Sequence, residues 1–166
     1  MKMSEHVEWA AHCAVLLALV PDGGSLPSSR LAEYHGVPGP YLAKSLQALA
    51  RAGIVASRSG RGGGYHLTRP ASGITLLEVV LAIEGDGTLF RCTEIRRRGP
   101  TRVALAQYTP VCGIATAMWD AERAWRSSLA QITVADLAAG TMADAPVAAV
   151  AKGVRWLATV RPGAGS

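Results

Sequence analysis

The stretch Arg58-Ser59-Gly60-Arg61-Gly62-Gly63-Gly64 constrains this chain more than any other. It lies between Ile54-Val55-Ala56 and Tyr65-His66-Leu67, two short apolar runs that read as strands, so it is the tip of a β-hairpin. It is not a phosphate-binding P-loop: no Gly-Lys-Ser/Thr follows, and a strand comes next where that loop needs a helix. Two short helices precede the hairpin. Ser28 or Ser29 can cap the first, which runs through Leu31, Ala32 and Tyr34 and stops at Gly36. The second opens at Gly39-Pro40, with proline suited to the first helical position, and Leu42, Leu46, Leu49 and Ala50 recur at helical spacing before Gly53. Helix, tight turn, helix and glycine-tipped hairpin, in that order, predict a winged helix-turn-helix. The expected class is mainly α with a small β wing.

The rest of the chain is expected to be helical. Residues from about Ser4 to Val20 read as a helix closed by Pro21-Asp22-Gly23-Gly24. Thr75-Leu76-Leu77-Glu78 has capping-box spacing and starts a helix that ends at Gly85. Asp86 to about Pro110 is irregular, a length of loop that calls for an explanation. A long helix is predicted from about Cys112 to Ile132, carrying Met118, Trp119, Trp125 and Leu129. One more is expected near Val147–Val160, before a frayed Gly/Pro end.

Charge bears on what the wing touches. The chain carries a formal net charge of +5. Between Pro21 and Pro70 six cations (Arg30, Lys44, Arg51, Arg58, Arg61, Arg69) stand against Asp22 and Glu33, so most of that excess lies in the helix-turn-helix and wing. A basic unit of this shape suits a polyanionic partner. The second helix of such a unit enters the DNA major groove, and its exposed face is expected to offer Tyr41, Lys44, Ser45 and Gln47. At the hairpin tip, glycines let the backbone lie close to DNA, and Arg58 or Arg61 can enter a narrow minor groove. Ser28, Tyr41, Lys44, Gln47, Arg58 and Arg61 are therefore the expected DNA-binding residues.

Other classes fit less well. The apolar run Ala14–Val20 is too short to span a bilayer and has no basic leader before it. Three cysteines (Cys13, Cys92, Cys112) are too few and odd in number for a secreted disulfide scaffold, so a cytoplasmic protein is expected. No nucleophile–base set or catalytic metal motif points to an enzyme. His6, His35 and His66 have no partner at ligand spacing and read as surface or hairpin residues.

The stretch PYLAKSLQALARAGIVASRSGRGGGYHLTRP followed by ITLLEVVLAIEG resembles the Rrf2 family of bacterial regulators, which includes iron–sulfur cluster sensors and nitric-oxide-sensing repressors. The resemblance covers about Glu8 to Leu137 and fades in the tail. It implies a homodimer reading a double-stranded operator of two-fold symmetry, with the long helix paired to its partner's copy. The organisation it implies is a DNA-binding domain over 1–85, a cluster-binding loop over 86–111, a dimerisation helix over 112–135 and an extension over 136–166.

Many members of that family carry three cysteines in the loop. This chain has Cys92 and Cys112, with Arg96, Arg97 and Arg98 where a middle cysteine is expected. An iron–sulfur cluster normally takes four protein ligands, and the helix around Cys13 reads as core. Glu8 and His12, four apart on the first helix, share a face; by spacing alone they are a surface contact or a pair of iron ligands. Within the family, Glu8-Trp9-x-x-His12 with FRCTEIRRRGP and TPVCGIATAMW is similar to the redox-sensitive response regulator type. That resemblance implies a 2Fe–2S cluster held by Cys92 and Cys112 of one subunit and by Glu8 and His12 of the other. Imidazole in place of thiolate lowers the cluster's negative charge and raises its potential, so such a site can be reduced and reoxidised intact. Trp9, adjacent to Glu8, is expected either to shift the first helix against the reading head or to serve as a core or interface aromatic. The resemblance alone gives the direction, with the oxidised form binding DNA and reduction weakening it.

Two rival readings stand beside it. Cys92, flanked by Arg91 and near Arg96–Arg98, could have an acidified thiol and form a disulfide with Cys112, giving a thiol-based redox repressor without a cluster. Alternatively, the winged helix serves only protein–protein contact.

Overall fold

A computed structural model describes residues 3–60, 62–100, 103–108 and 111–159 of the chain. Its first helix, α1 (Glu5–Ala18), is the member around which the rest assembles. Val7, Ala10, Cys13, Ala14 and Leu17 recur at helical spacing and are buried, and Val15 and Leu16 widen the stripe. Glu8 and His12 are left on the exposed side. Cys13 has no accessible surface, and burial pushes its thiol pKa up to about 12, so it is a core residue as expected.

Helix α2 (Ser28–His35) ends at Gly36, whose φ of 63° closes the turn into α3 (Gly39–Arg51). Neither Ser28 nor Ser29 caps α2, contrary to the sequence expectation. Pro27 holds the N-cap position, and its carbonyl accepts the Leu31 N–H at 3.1 Å, so both serines already lie inside the helix. Helix α3 buries Leu42, Leu46 and Leu49 against α1 and α2.

The wing follows as β1 (Val55–Arg58) and β2 (Gly64–Leu67), antiparallel with Val55 opposite Leu67 and Arg58 opposite Gly64. A third segment touches it. Leu26 and Tyr65 exchange both backbone hydrogen bonds, at 2.9 and 2.8 Å, which ties the hairpin to the chain just before α2. Gly64 is where these backbones meet: its φ is +150°, and a side-chain carbon there would lie 2.5 Å from Pro27 N.

Helix α4 (Leu76–Glu84) has the expected capping box. The Glu78 N–H donates to Thr75 Oγ1 (3.2 Å) and the Thr75 N–H to Glu78 Oε2 (2.8 Å). Helix α5 (Gly113–Ala130) stops two residues short of the expected Ile132. The sequence reading missed the next helix, α6 (Val134–Asp144), whose Thr133–Asp136 capping box uses aspartate at the third position. The Leu76 N–H bonds Ile132 O and the Val134 N–H bonds Ile74 O, both at 2.8 Å. The chain thereby turns back, and α6 buries Val134 and Ala138 beside α1. Residues 112–135, expected as one helix, thus contain a helix end and a new helix start. The last helix, α7 (Val147–Thr159), packs Trp156 at a tilt against Tyr34 of α2 with ring centroids 4.8 Å apart. None of the described helices is long and apolar enough to cross a membrane.

The capping boxes of α4 and α6, and a contact of Ser4 with Glu84 (2.8–2.9 Å), depend on ionised carboxylates. For Glu78, burial opposes ionisation, but the Thr75 donors and the Arg69 guanidinium outweigh it and hold its pKa below the ordinary value. The Ser4 N–H and hydroxyl do the same for Glu84, and the Thr133 hydroxyl and N–H for Asp136. A lowered folded-state pKa gives stability that is complete above the unfolded value and lost as pH falls through the folded one. The melting temperature is therefore expected to hold down to about pH 5 and to decline below about pH 4. Thermal melts from pH 7 to 3 check this, and a flat profile would contradict it.

Candidate nucleic-acid interface and metal-ligating residues

The exposed face of α3 carries Tyr41, Lys44 and Gln47, three apart in sequence, while Leu42, Leu46 and Leu49 hold the opposite face in the core. Tyr41 is 53% exposed, and the Lys44 ammonium lies 5.7 Å from its ring centroid. This leaves a cation, a phenol and an amide on one strip of a helix wide enough to fill a major groove. Ser45 is not part of it. Its side chain is buried and its hydroxyl lies 3.0 Å from His6 Nδ1, so the expected exposed serine faces inward, and the expected surface histidine is its partner. Ser28 is exposed at the first turn of α2, and Arg58 is exposed at the end of β1. Arg61 lies outside the described residues. The Ser25 hydroxyl donates to Gly62 O at 2.8 Å and holds the wing tip from below.

The long loop after α4 has its explanation in α5. Three side chains spaced along that helix, Trp119, Glu122 and Arg126, fasten the loop's first residues. The Leu89 N–H donates to Glu122 Oε2 (3.0 Å), and Trp119 Nε1 donates to Phe90 O (3.3 Å). Arg126 donates to Asp86 (2.7 Å), to Gly87 O (3.0 Å) and to Glu122 (3.0 Å). These contacts hold Leu89 and Phe90, the residues that lead into Cys92, against α5. Sequence reasoning placed Trp119 on this helix without giving it a role and passed over Glu122 and Arg126, although the spacing of the three on one helix face was the available signal.

Cys92 is half-buried, with its thiol 3.7 Å from Glu94 Oε1. Glu94 has a φ of +50° and is bound by the Arg96 guanidinium at 3.0–3.2 Å. Cys112 is buried immediately before α5. The N–H groups of Ala115 and Ile114 hold its thiol below the ordinary pKa, against its burial; Arg96 adds to the lowering and Glu94 opposes it. Glu94 thus touches Cys92, and the two charges of the Glu94–Arg96 pair act in opposite directions on Cys112. Both are free thiols.

The other expected ligands sit on α1. Glu8 and His12 are exposed on adjacent turns, and among the described residues the Glu8 carboxylate has no hydrogen bond or ion pair. The His12 ring lies 5.6 Å from that of His35, whose pKa is lowered by burial and then by the charge of His12. His35 Nε2 is buried without a partner among the described residues. Trp9 packs partly buried against the core, with His6 edge-on to its ring at 5.1 Å. With Tyr41 and Pro38 it lines a hollow between α1 and the start of α3. Among the described residues no three His, Cys, Asp or Glu side chains of one chain gather as a metal site.

Residues 3–140 match the family model described as "Rrf2: Iron-dependent Transcriptional regulator". An HTH-type transcriptional regulator of Mycobacterium tuberculosis strain H37Rv is 32% identical over 99% of this chain and 97% of its own length. The HTH-type transcriptional repressor NsrR of Streptomyces coelicolor is 32% identical over 84% of this chain and 89% of its own. Among solved structures, CymR, the global cysteine regulator of B. subtilis, shares the fold with a TM-score of 0.67 at 22% identity, over 85% of this chain and 98% of that one.

Proposed function

The chain belongs to the Rrf2 family of DNA-binding transcriptional regulators, and from that footing we propose that it works as a homodimer on a two-fold-related double-stranded operator, its binding switched by the redox state of a 2Fe–2S cluster at the dimer interface. The observation that carries the proposal is the division of donors into two incomplete pairs. Cys92 touches Glu94 of the Glu94–Arg96 pair, whose charges reach Cys112 at the start of α5, and Glu8 and His12 lie exposed on α1.

The donor chemistry fits. Cys112 is biased toward thiolate by two backbone N–H groups, and thiolate is the form that binds iron. Among the described residues Glu8 has no competing hydrogen bond or ion pair, and a carboxylate and an imidazole are competent iron ligands. When bound, a cluster so ligated supplies a reversible one-electron change of charge. Ile114 (69% exposed) and Met118 (45% exposed), four apart on α5, offer an apolar stripe to a second copy. On the output side, Tyr41, Lys44 and Gln47 read the major groove, while Ser28, Arg58 and Arg61 hold the duplex. Trp9 stands between the two functions, next to Glu8 in sequence and across a hollow from Tyr41.

Purification without oxygen is expected to give a coloured dimer with about two irons and two sulfides per cluster and a rhombic EPR signal on one-electron reduction. Cys92→Ala, Cys112→Ala and His12→Ala are each expected to lose that signal. A colourless, iron-free wild type would remove the cluster. An iron-loaded dimer whose DNA affinity ignores redox state would remove the switch. A second reading rests on the two free thiols in one polar environment, with Cys112 acidified. It expects no metal and a diamide-induced mobility shift on a non-reducing gel, abolished by Cys92→Ala.

A further inference from the structure

We infer that His6 is a positioning residue for DNA reading: through its bond to Ser45 it sets the rotational register of α3. The inference rests on the reading of α3 as the major-groove helix. The His6 side chain touches both elements. Its Nδ1 lies 3.0 Å from Ser45 Oγ on α3, and its ring is edge-on to Trp9 on α1 at 5.1 Å and 74°.

The placement of Ser45 is informative. It is 2% exposed and sits on the leucine face of α3, next to Lys44 and two residues before Gln47. A helical serine can satisfy its hydroxyl on the carbonyl one turn back, so the helix itself does not require a partner from α1. The recorded bond crosses between helices instead. Apolar packing of Leu42, Leu46 and Leu49 fixes how close α3 lies to α1 but is non-directional. A hydrogen bond between the two helices has direction and selects one rotation. That matters for reading, because a roll of about 20° at a radius of about 6 Å moves a side-chain tip by about 2 Å, enough to break a base contact. Phosphate contacts tolerate such a shift better, since they depend on charge more than on alignment.

The test compares full-length wild type with His6→Phe, His6→Asn, Ser45→Ala and the His6→Phe/Ser45→Ala double variant. The probes are a duplex selected from a random library by the wild type, and poly(dI-dC). Phenylalanine keeps the edge contact with Trp9 but has no nitrogen for Ser45, whereas asparagine carries a polar atom at the place of Nδ1. His6→Phe and Ser45→Ala are expected to weaken binding to the selected duplex about tenfold, with poly(dI-dC) binding unchanged. His6→Asn should stay within about threefold of wild type, and the double variant should be no worse than either single one. Selected-duplex affinity unchanged in His6→Phe, equal losses on both DNAs, or additive losses in the double variant would overturn the inference. A wild type that selects no duplex over poly(dI-dC) would instead overturn the DNA-reading assignment on which it stands.

Discussion

Gly64→Ala is expected to cost about 3 kcal/mol or more and to lower the melting temperature by about 10 °C, with loss of DNA binding. The added carbon would meet Pro27 N at 2.5 Å and the Leu26 carbonyl closer still, and these are backbone atoms that no rotamer change can move aside. The Leu26–Tyr65 hydrogen bonds fail if the strand retreats, and the wing then leaves the helix-turn-helix. Gly36→Ala is the control. That residue also has positive φ, at 63°, but a carbon there meets nothing within 4 Å, so only the dihedral penalty of about 1 kcal/mol applies. Thermal melts of the two variants side by side check the argument. Equal losses would mean that conformation, not crowding, holds Gly64.

Glu122→Ala is expected to have the largest effect on the loop between α4 and α5. Glu122 is only 9% exposed and accepts from both the Leu89 N–H and Arg126. Removing it strands a backbone donor, at a cost of about 1–3 kcal/mol, and frees the segment that leads into Cys92. On the proposed ligation, iron retention in the anaerobically purified variant should fall well below half of wild type. The helix-turn-helix lies on other elements, so binding to poly(dI-dC) should stay unchanged. Wild-type iron content in Glu122→Ala would show that the loop holds its place without this anchor.

The DNA-reading half was largely legible in the sequence because its signals are local. Glycines mark the turns, leucines recur at helical spacing, and Thr75 with Glu78 spells out a capping box. The misjudged residues are those whose state is decided by distant partners. Ser45 looks exposed on a helical wheel until His6, thirty-nine residues earlier, is placed against it. Ser28 and Ser29 are good caps by composition, yet Pro27 takes the position. Helix α6 went unseen because an alanine-rich tail offers little periodicity, and its aspartate variant of the capping box is a weaker signal than the one before α4. The loop from Asp86 onward has no periodic pattern at all. Its order comes from side chains of α5 that follow it in the chain.

The placement of α1 has a further consequence for how this protein can change over time or under engineering. One helix supplies much of the core through Val7, Ala10, Cys13, Ala14 and Leu17; on its other side it bears Glu8 and His12, with Trp9 at the edge between the two. Close-packed interiors pass displacement on rather than absorb it. Robustness and responsiveness therefore draw on the same residues. A core substitution that stiffens α1 for thermostability would also blunt whatever its outer face reports, so the two traits cannot be tuned independently.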